Sequence, residues 1–398
     1  MSDPSNCCVV AFAGHLLDRP DRPTPRFPES SEQVVAEAIA RQLDIWGATE
    51  GVCSLARGSD ILFAEAMLKR GGRLRIVLPM VEREFLQEQD GATWDDRWKA
   101  RYWDVRRQTS EPEIFGGKYL EGSGTSFLAV TRLMDGLAEM QARERGLAAR
   151  SLAVWDGERG HGLGGTTSFV GHAVLMGREI VCLDPMTGAA SVPGAEAIRA
   201  AASHRWKQVV RGNLLLEHRL VAALFADIKG FSRLDEPQVP AFMHEVSGAI
   251  KQAVVNSGAI PRIINTWGDG IFAVTEDIES AGLLALGFRE QIAGIDPSKV
   301  GATERFSLRV GLHAGPAFVG FDPVLGRQNA YGVDISRTAR IEPIVDADQV
   351  WCSLAFAALA ESENVKSMRF SPLGVKELHK NAGPMTMFRV DGAEPRRS

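Results

Sequence analysis

The chain has 398 residues, 45% of them hydrophobic and 24% charged, with a formal net charge of -5. This is ordinary globular composition, with material for two or three domains. The acidic balance argues against a dedicated nucleic-acid binder, which needs a basic face for phosphates, but leaves room for a local triphosphate pocket.

Five cysteines (Cys7, Cys8, Cys53, Cys182 and Cys352) are odd in number and scattered, with no CxxC pair. That usage suits a reducing compartment and provides no zinc site. The N-terminus lacks the basic flank of a signal peptide, and no apolar run approaches the roughly eighteen residues of a membrane helix. A cytoplasmic protein without a membrane partner is expected.

The first half alternates strand and helix patterns. Cys7 to Ala13 is an apolar run ending at Gly14-His15, as in a buried strand. Residues 31–46 have helical spacing, 51–55 read as a strand, and 60–69 as a helix with Asp60 as N-cap. Residues 74–79, 153–155 and 180–183 read as further strands. This order predicts a doubly wound parallel sheet, a Rossmann-like α/β domain over residues 1–185. Gly14, Arg57-Gly58-Ser59-Asp60 and Gly162 to Thr167 fall at strand ends, the ligand edge of such a sheet. Gly164, Gly165 and Thr166 suit phosphate binding through backbone N–H groups at a helix start, although glycines in loops also serve as simple turns.

Residues 186–216 read as a small-residue linker followed by one connecting helix from Ala195 to about Leu216, either a transmitter of strain or a passive spacer. In the second half, 220–226, 260–264, 271–274, 306–313 and 385–390 read as strands. Residues 241–256, 278–292 and 333–344 read as helices. An antiparallel or mixed sheet with helices on one face follows, an α+β domain over 217–392 with a tail at 393–398.

Two aspartates end apolar strands in this half. Asp227 follows Val221 to Ala226, and Asp269 sits at the Trp267-Gly268-Asp269-Gly270 hairpin. If the strands are neighbours, the carboxylates share one sheet edge and suit Mg²⁺ or Mn²⁺, hard cations that prefer oxygen. After Asp227 comes Ile228-Lys229-Gly230-Phe231-Ser232, where Gly230 permits a sharp turn and the following N–H groups can cradle phosphate. Alone, each motif equally fits ordinary turn chemistry. A third block, Arg309-Val310-Gly311-Leu312-His313-Ala314-Gly315-Pro316, precedes Tyr331-Gly332 and a helix on which Ser336 and Arg340 share one face. A hydroxyl and a guanidinium there suit ribose and phosphate.

In this order the motifs resemble the catalytic domain of class III adenylate and guanylate cyclases, of ferredoxin-like α+β fold, over about residues 215–392. The resemblance implies that Asp227, Asp269 and the backbone carbonyl of Ile228 hold two Mg²⁺ or Mn²⁺ ions. It implies that Lys229, Gly230, Phe231 and Ser232 meet phosphate and that Arg340 steadies charge developing on it. Ser336 stands where the family has a ribose-orienting asparagine. The family's C-terminal lysine aligns with Lys380 first and Lys376 second. At the base-reading positions this chain has Asn265 and Asn329, neither charged, so the family's usual means of enforcing adenine or guanine is absent; ATP or a pyrimidine triphosphate is the expected substrate, with GTP behind. A related group of bacterial antiphage cyclases that makes cyclic CMP or cyclic UMP also lacks that pair, and Glu377 to Gly383 resembles it. Family sites form between two catalytic domains, which implies a homodimer here. A catalytically weak pseudo-cyclase that binds nucleotide and regulates a partner is the second reading.

The first half is similar to the SLOG group of Rossmann-like domains, related to lysine-decarboxylase-like nucleotide hydrolases. The proline and glutamate of the hydrolase pattern Pro-Gly-Gly-x-Gly-Thr-x-x-Glu are missing here. That implies sensing of a nucleotide-derived ligand rather than hydrolysis.

Overall fold

The computed structural model describes residues 7–87, 94–115, 120, 122–160, 162–202, 206–211 and 214–393. The chain divides into two compact units, Met1–Lys207 and Gln208–Ser398.

In chain order the first unit holds β1 (Cys8–Gly14), α1 (Glu32–Ile45), β2 (Ala48–Cys53), α2 (Ser59–Lys69), β3 (Arg73–Leu78), α3 (Glu82–Phe85), α4 (Asp96–Arg107) and β4 (Glu113–Ile114). It continues with α5 (Thr125–Arg145), β5 (Ala148–Val154), α6 (Gly165–Leu175), β6 (Ile180–Leu183), β7 (Ala190–Ser191) and α7 (Ala195–Ala201). The strands order as β4-β3-β2-β1-β5-β6-β7, parallel except for the β6–β7 pair. Central β1 is buried on both faces, as its unbroken apolar run requires. Cys8, Val10 and Phe12 join the core built with Val35, Ile39 and Leu43 of α1 and Ile61 and Phe63 of α2, while α5 and α6 also pack on β1.

Three expectations change in this unit. Asp60 lies inside α2, whose N-cap is Gly58 at φ 109°, because its carboxylate is drawn under the strand ends by the Gly14 and Ala56 N–H groups. Helices α3, α4 and α5 fill a stretch with no predicted element. The single helix predicted over 195–216 is not formed: α7 ends at Ala201, and extended strands begin at Lys207 and Leu214. Residues 203–205 and 212–213 within that stretch lie outside the described residues. Gly171 lets α7 close on α6, since a Cβ there would fall 2.5 Å from Ala201 Cβ.

The second unit, entered through β8 (Lys207–Arg211), holds β9 (Leu214–Lys229), α8 (Val239–Ser257), β10 (Ile263–Trp267), β11 (Gly270–Thr275), α9 (Ile278–Ala293) and β12 (Ser307–Asp322). Then come β13 (Arg327–Tyr331), α10 (Val333–Ile341), β14 (Val350–Ser353), α11 (Leu354–Ser362), β15 (Met368–Glu377) and β16 (Pro384–Gly392). Apart from Ala393, the expected tail lies outside the described residues. The sheet runs β10-β11-β9-β12-β14-β16-β15, with β13 on β12 and β8 on β9. It is mixed, because β12 pairs with β14 in parallel.

Strand alternation sorts the two faces. Leu308, Val310 and Leu312 are fully buried, and α9 and α11 pack on β12. Arg309, Gly311, His313 and Gly315 point the other way, toward α10: a Cβ on Gly311 would lie 2.7 Å from Glu342 N, and one on Gly315 2.6 Å from Asp334 Cγ. Helices therefore lie on both faces rather than one, because two glycines on β12 leave room for α10. No described helix is long and apolar enough to cross a membrane.

Candidate active site

The long pair β9–β12 and the short hairpin β10–β11 bring the two aspartates together. Asp227 stands opposite Gly270 on β11 and opposite Arg309 on β12. Gly270 directly follows Asp269, so the two carboxylates are neighbours at one sheet edge. The Ile228 N–H donates to the Asp269 carbonyl at 3.1 Å, pinning the turn to β9. Gly268, at φ +64°, supplies the left-handed residue of that turn. Both aspartates are half-buried. Burial pushes the Asp269 carboxyl above its usual range, and the neighbouring Asp227 charge adds to this.

Arg309, to which the sequence motifs assign no role, supplies a cation at this point. Its Nη2 lies 2.6 Å from Asp227 Oδ2 and 2.9 Å from Glu342 Oε1. The second contact is an ion pair that is not aligned as a hydrogen bond, so Glu342 Oε1 lacks a hydrogen-bond partner, as does Arg309 Nε. Burial pushes the Glu342 carboxyl up to about 7 against the pull of Arg309, with Asp227 and Asp269 adding to the rise. A charged residue at alternate positions of an otherwise apolar strand was the signal for Arg309.

A divalent cation fits this donor set. Two half-buried carboxylates with a neighbouring backbone carbonyl are hard oxygen donors, and Mg²⁺ commonly takes only one or two carboxylates beside substrate phosphates. The orphaned Glu342 oxygen, which shares Arg309 Nη2 with Asp227, is a further acceptor beside these carboxylates that is incompletely satisfied. Among the described residues no group of three or more His, Cys, Asp or Glu forms a metal cage.

The turn after Asp227 is held by aromatics. Gly230 sits at φ 114°, and Phe231 packs on Phe242 with ring centroids 5.1 Å apart. Phe231 is thus an anchor for the turn, while Lys229 and Ser232 are exposed.

Asn265 lies on β10 opposite Phe272. It is only 6% exposed, and its Oδ1 has no hydrogen-bond partner. Asn329 on β13 is engaged instead. Its Nδ2 donates to Asp322 Oδ2 at 3.1 Å, beside the Tyr331 hydroxyl, which donates to the same oxygen at 2.6 Å.

On α10 the buried residues are Asp334, Thr338 and Ile341. Ser336 is exposed and Arg340 half-buried. One helical face packs on the sheet and the other carries the predicted pair. The turn bearing Lys380 packs beside α10, with Lys380 exposed and at φ 58°. The Lys376 ammonium is 5.8 Å from the Trp351 ring centre, a cation–π contact that occupies it.

In the first unit Gly164, Gly165 and Thr166 line a cavity of about 210 Å³ together with His15 and Arg26. Gly164 and Gly165 both have positive φ. Arg26 Nη2 donates to Asp156 Oδ1 at 2.6 Å, and His15 Nε2 lies 3.0 Å from the same atom. Gly14 and Gly58 are not among the lining residues; a Cβ on Gly14 would collide with Ser59 Oγ, and one on Gly58 would lie 2.6 Å from Leu17 N.

No curated protein matches the chain. Among solved structures, the guanylate cyclase domain of RhGC from Catenaria anguillulae in complex with GTP is 21% identical, with 44% of this chain and 97% of that chain covered at a TM-score of 0.38. The adenylyl cyclase CyaB from P. aeruginosa is 16% identical over 46% and 97% of the two chains at 0.38. An adenylate cyclase of Trypanosoma brucei, solved in its monomeric state, is 18% identical over 45% and 91% at 0.36. By its family model, the adenylate and guanylate cyclase catalytic domain matches residues 216–392 of this chain.

Proposed function

We propose that the second unit is a nucleotidyl cyclase that turns ATP or a pyrimidine triphosphate into a 3′,5′-cyclic nucleotide and pyrophosphate for intracellular signalling. The observation that carries this reading is the meeting of Asp227, Asp269 and Arg309 at one sheet edge. In the reaction the 3′ oxygen bonds to the α-phosphorus, the bond from that phosphorus to the bridging oxygen breaks, and the hydroxyl proton passes to solvent.

Asp227, Asp269 and the Ile228 carbonyl would hold two Mg²⁺ or Mn²⁺ ions. When bound, such ions neutralise triphosphate charge and ease ionisation of the 3′-hydroxyl. Arg309 presents a planar set of donors to phosphate oxygens. The turn at Lys229 to Ser232 closes against the triphosphate with its backbone, held by the Phe231–Phe242 contact. Most of the acceleration comes from holding the reacting atoms in line and neutralising charge.

Ser336 and Arg340 project from the face of α10 opposite the one packed on the sheet. That orientation supports a homodimer, in which they, Lys380 and the Asn265–Asn329 pair meet a nucleotide held by the partner's carboxylates. Neither asparagine carries charge and each can donate and accept, which fits ATP or a pyrimidine triphosphate read without a charged purine-reading pair. The cavity of the first unit, with Arg26 and His15 at its rim, supports a nucleotide-derived anionic ligand there.

Mixing inactive Asp227→Ala and Arg340→Ala proteins tests the shared site. Activity returns on mixing if each protomer supplies half of it. A mixture as inactive as its parents contradicts the dimeric reading.

A further inference from the structure

His313 is a buried group that the proposed chemistry does not use. It lies on the α10 face of β12, is 4% exposed, and both ring nitrogens are engaged. Nδ1 is 2.7 Å from Ser353 Oγ, and Nε2 is 3.1 Å from Asp334 Oδ1. Ser353 Oγ already accepts the Phe356 N–H at 3.3 Å as the cap of α11. Its hydroxyl can then donate to Nδ1, leaving Nε2–H to donate to Asp334. Arg337 Nη1 adds a second bond to the same carboxylate oxygen at 2.9 Å. Burial works against the Asp334 carboxylate, yet the hydrogen bond from His313 and the charge of Arg337 outweigh it and hold the group below its usual range.

Packing alone does not need this network. An apolar pair of similar volume would fill the same space without stripping water from a carboxylate. What the network adds is a defined position. Gly311 and Gly315, on the same face of β12, present no side chain that could stop α10 from sliding along the strand. Between them only His313 reaches into the helix, and it grips the first turn. We propose that His313 is a positioning residue: through Asp334 it fixes where α10 lies along β12, and with it where Ser336 and Arg340 meet the substrate. The inference rests on the cyclase reading of this unit.

Asparagine and glutamine separate the two bonds of the imidazole. The amide of His313→Asn occupies the Nδ1 position and keeps Ser353. That of His313→Gln reaches the Nε2 position and keeps Asp334. Wild type and both variants are assayed with Mn²⁺ and each of ATP, GTP, CTP and UTP, beside thermal unfolding. His313→Asn should lose about 100-fold in kcat, the scale of an ångström-level misplacement. His313→Gln should stay within about threefold, and KM should change little in either. Ser353→Ala, which leaves the Asp334 bond, should melt earlier yet keep kcat within about threefold of wild type. Equal kcat in the Asn and Gln variants of an active enzyme, or a Ser353→Ala loss as large as that of His313→Asn, would overturn the positioning role alone. A wild type that forms no cyclic product from any of the four would overturn the cyclase reading, and this inference with it.

Discussion

Arg309 Nη2 lies 2.6 Å from Asp227 Oδ2, across the register of two central strands. The pair fixes a cation and an anion at the point where the sheet edge meets the end of α10. An exposed pair of this kind would contribute little, but both groups here are mostly buried, with side-chain exposures of 22% and 32%. Replacing Arg309 by alanine is predicted to lower kcat/KM by about 100- to 1,000-fold, the cost of losing one preorganised charge partner. Arg309→Lys should recover only part of this, because an ammonium keeps the charge but lacks the guanidinium's fixed planar set of donors toward phosphate. Steady-state kinetics of the two variants check the prediction, and equal activity in both would contradict it.

Gly311 and Gly315 are predicted to tolerate no side chain. A methyl at 311 meets the Glu342 N at 2.7 Å, and one at 315 meets Asp334 Cγ at 2.6 Å. Either alanine variant should lose about 1–3 kcal/mol by overpacking, read from urea unfolding. Turnover should fall further than that loss explains, because α10 is pushed off the sheet.

Asn265 carries an unpartnered buried Oδ1. Asn265→Leu replaces this unpartnered buried acceptor with apolar volume, so it should raise unfolding stability by about 1 kcal/mol. The same change should flatten the ratio of kcat/KM among the four nucleoside triphosphates. A variant that is less stable and equally selective would exclude Asn265 from base reading.

Asp60 predicts a pH effect in the first unit. Burial pushes its carboxyl up to about 7, against the backbone N–H groups of Ala56, Gly14 and Ser54. The folded state therefore binds this proton more tightly than the unfolded state, and stability falls as pH rises from the ordinary carboxylate range through about pH 7. Asp60→Asn cannot titrate. The difference in denaturation midpoint between wild type and Asp60→Asn should thus shift against wild type across that interval, and a constant difference would contradict the assignment.

The fold was legible wherever period and turn chemistry agreed. The run Cys7 to Ala13 announced a central strand, and Gly268-Asp269 announced the hairpin that carries one carboxylate. Three things escaped. Residues 195–216 mix helix formers with extended aliphatics, and pairing with neighbouring strands overrode local propensity from Lys207 onward. The aromatic helix α4 has its apolar residues interleaved with arginines that ion-pair across the unit, as Arg101 does with Glu65, so its hydrophobic stripe is hard to read. Arg309 and His313 were visible as polar residues alternating on an apolar strand, but what they grip depends on strand pairing and on where α10 lands, which no local spacing encodes. Asp227 and Asp269 were legible because each ends its own strand; their adjacency depends on the register of β9 against β11.

The proposed reaction requires Asp227 and Asp269 to act together on a triphosphate. It is tested most directly by incubating wild type, Asp227→Ala and Asp269→Ala with Mn²⁺ and each of the four nucleoside triphosphates and identifying products by mass. A 3′,5′-cyclic nucleotide and pyrophosphate are expected from wild type, and none from either variant although both unfold cooperatively. Cyclic product from either variant at the wild-type rate would contradict it.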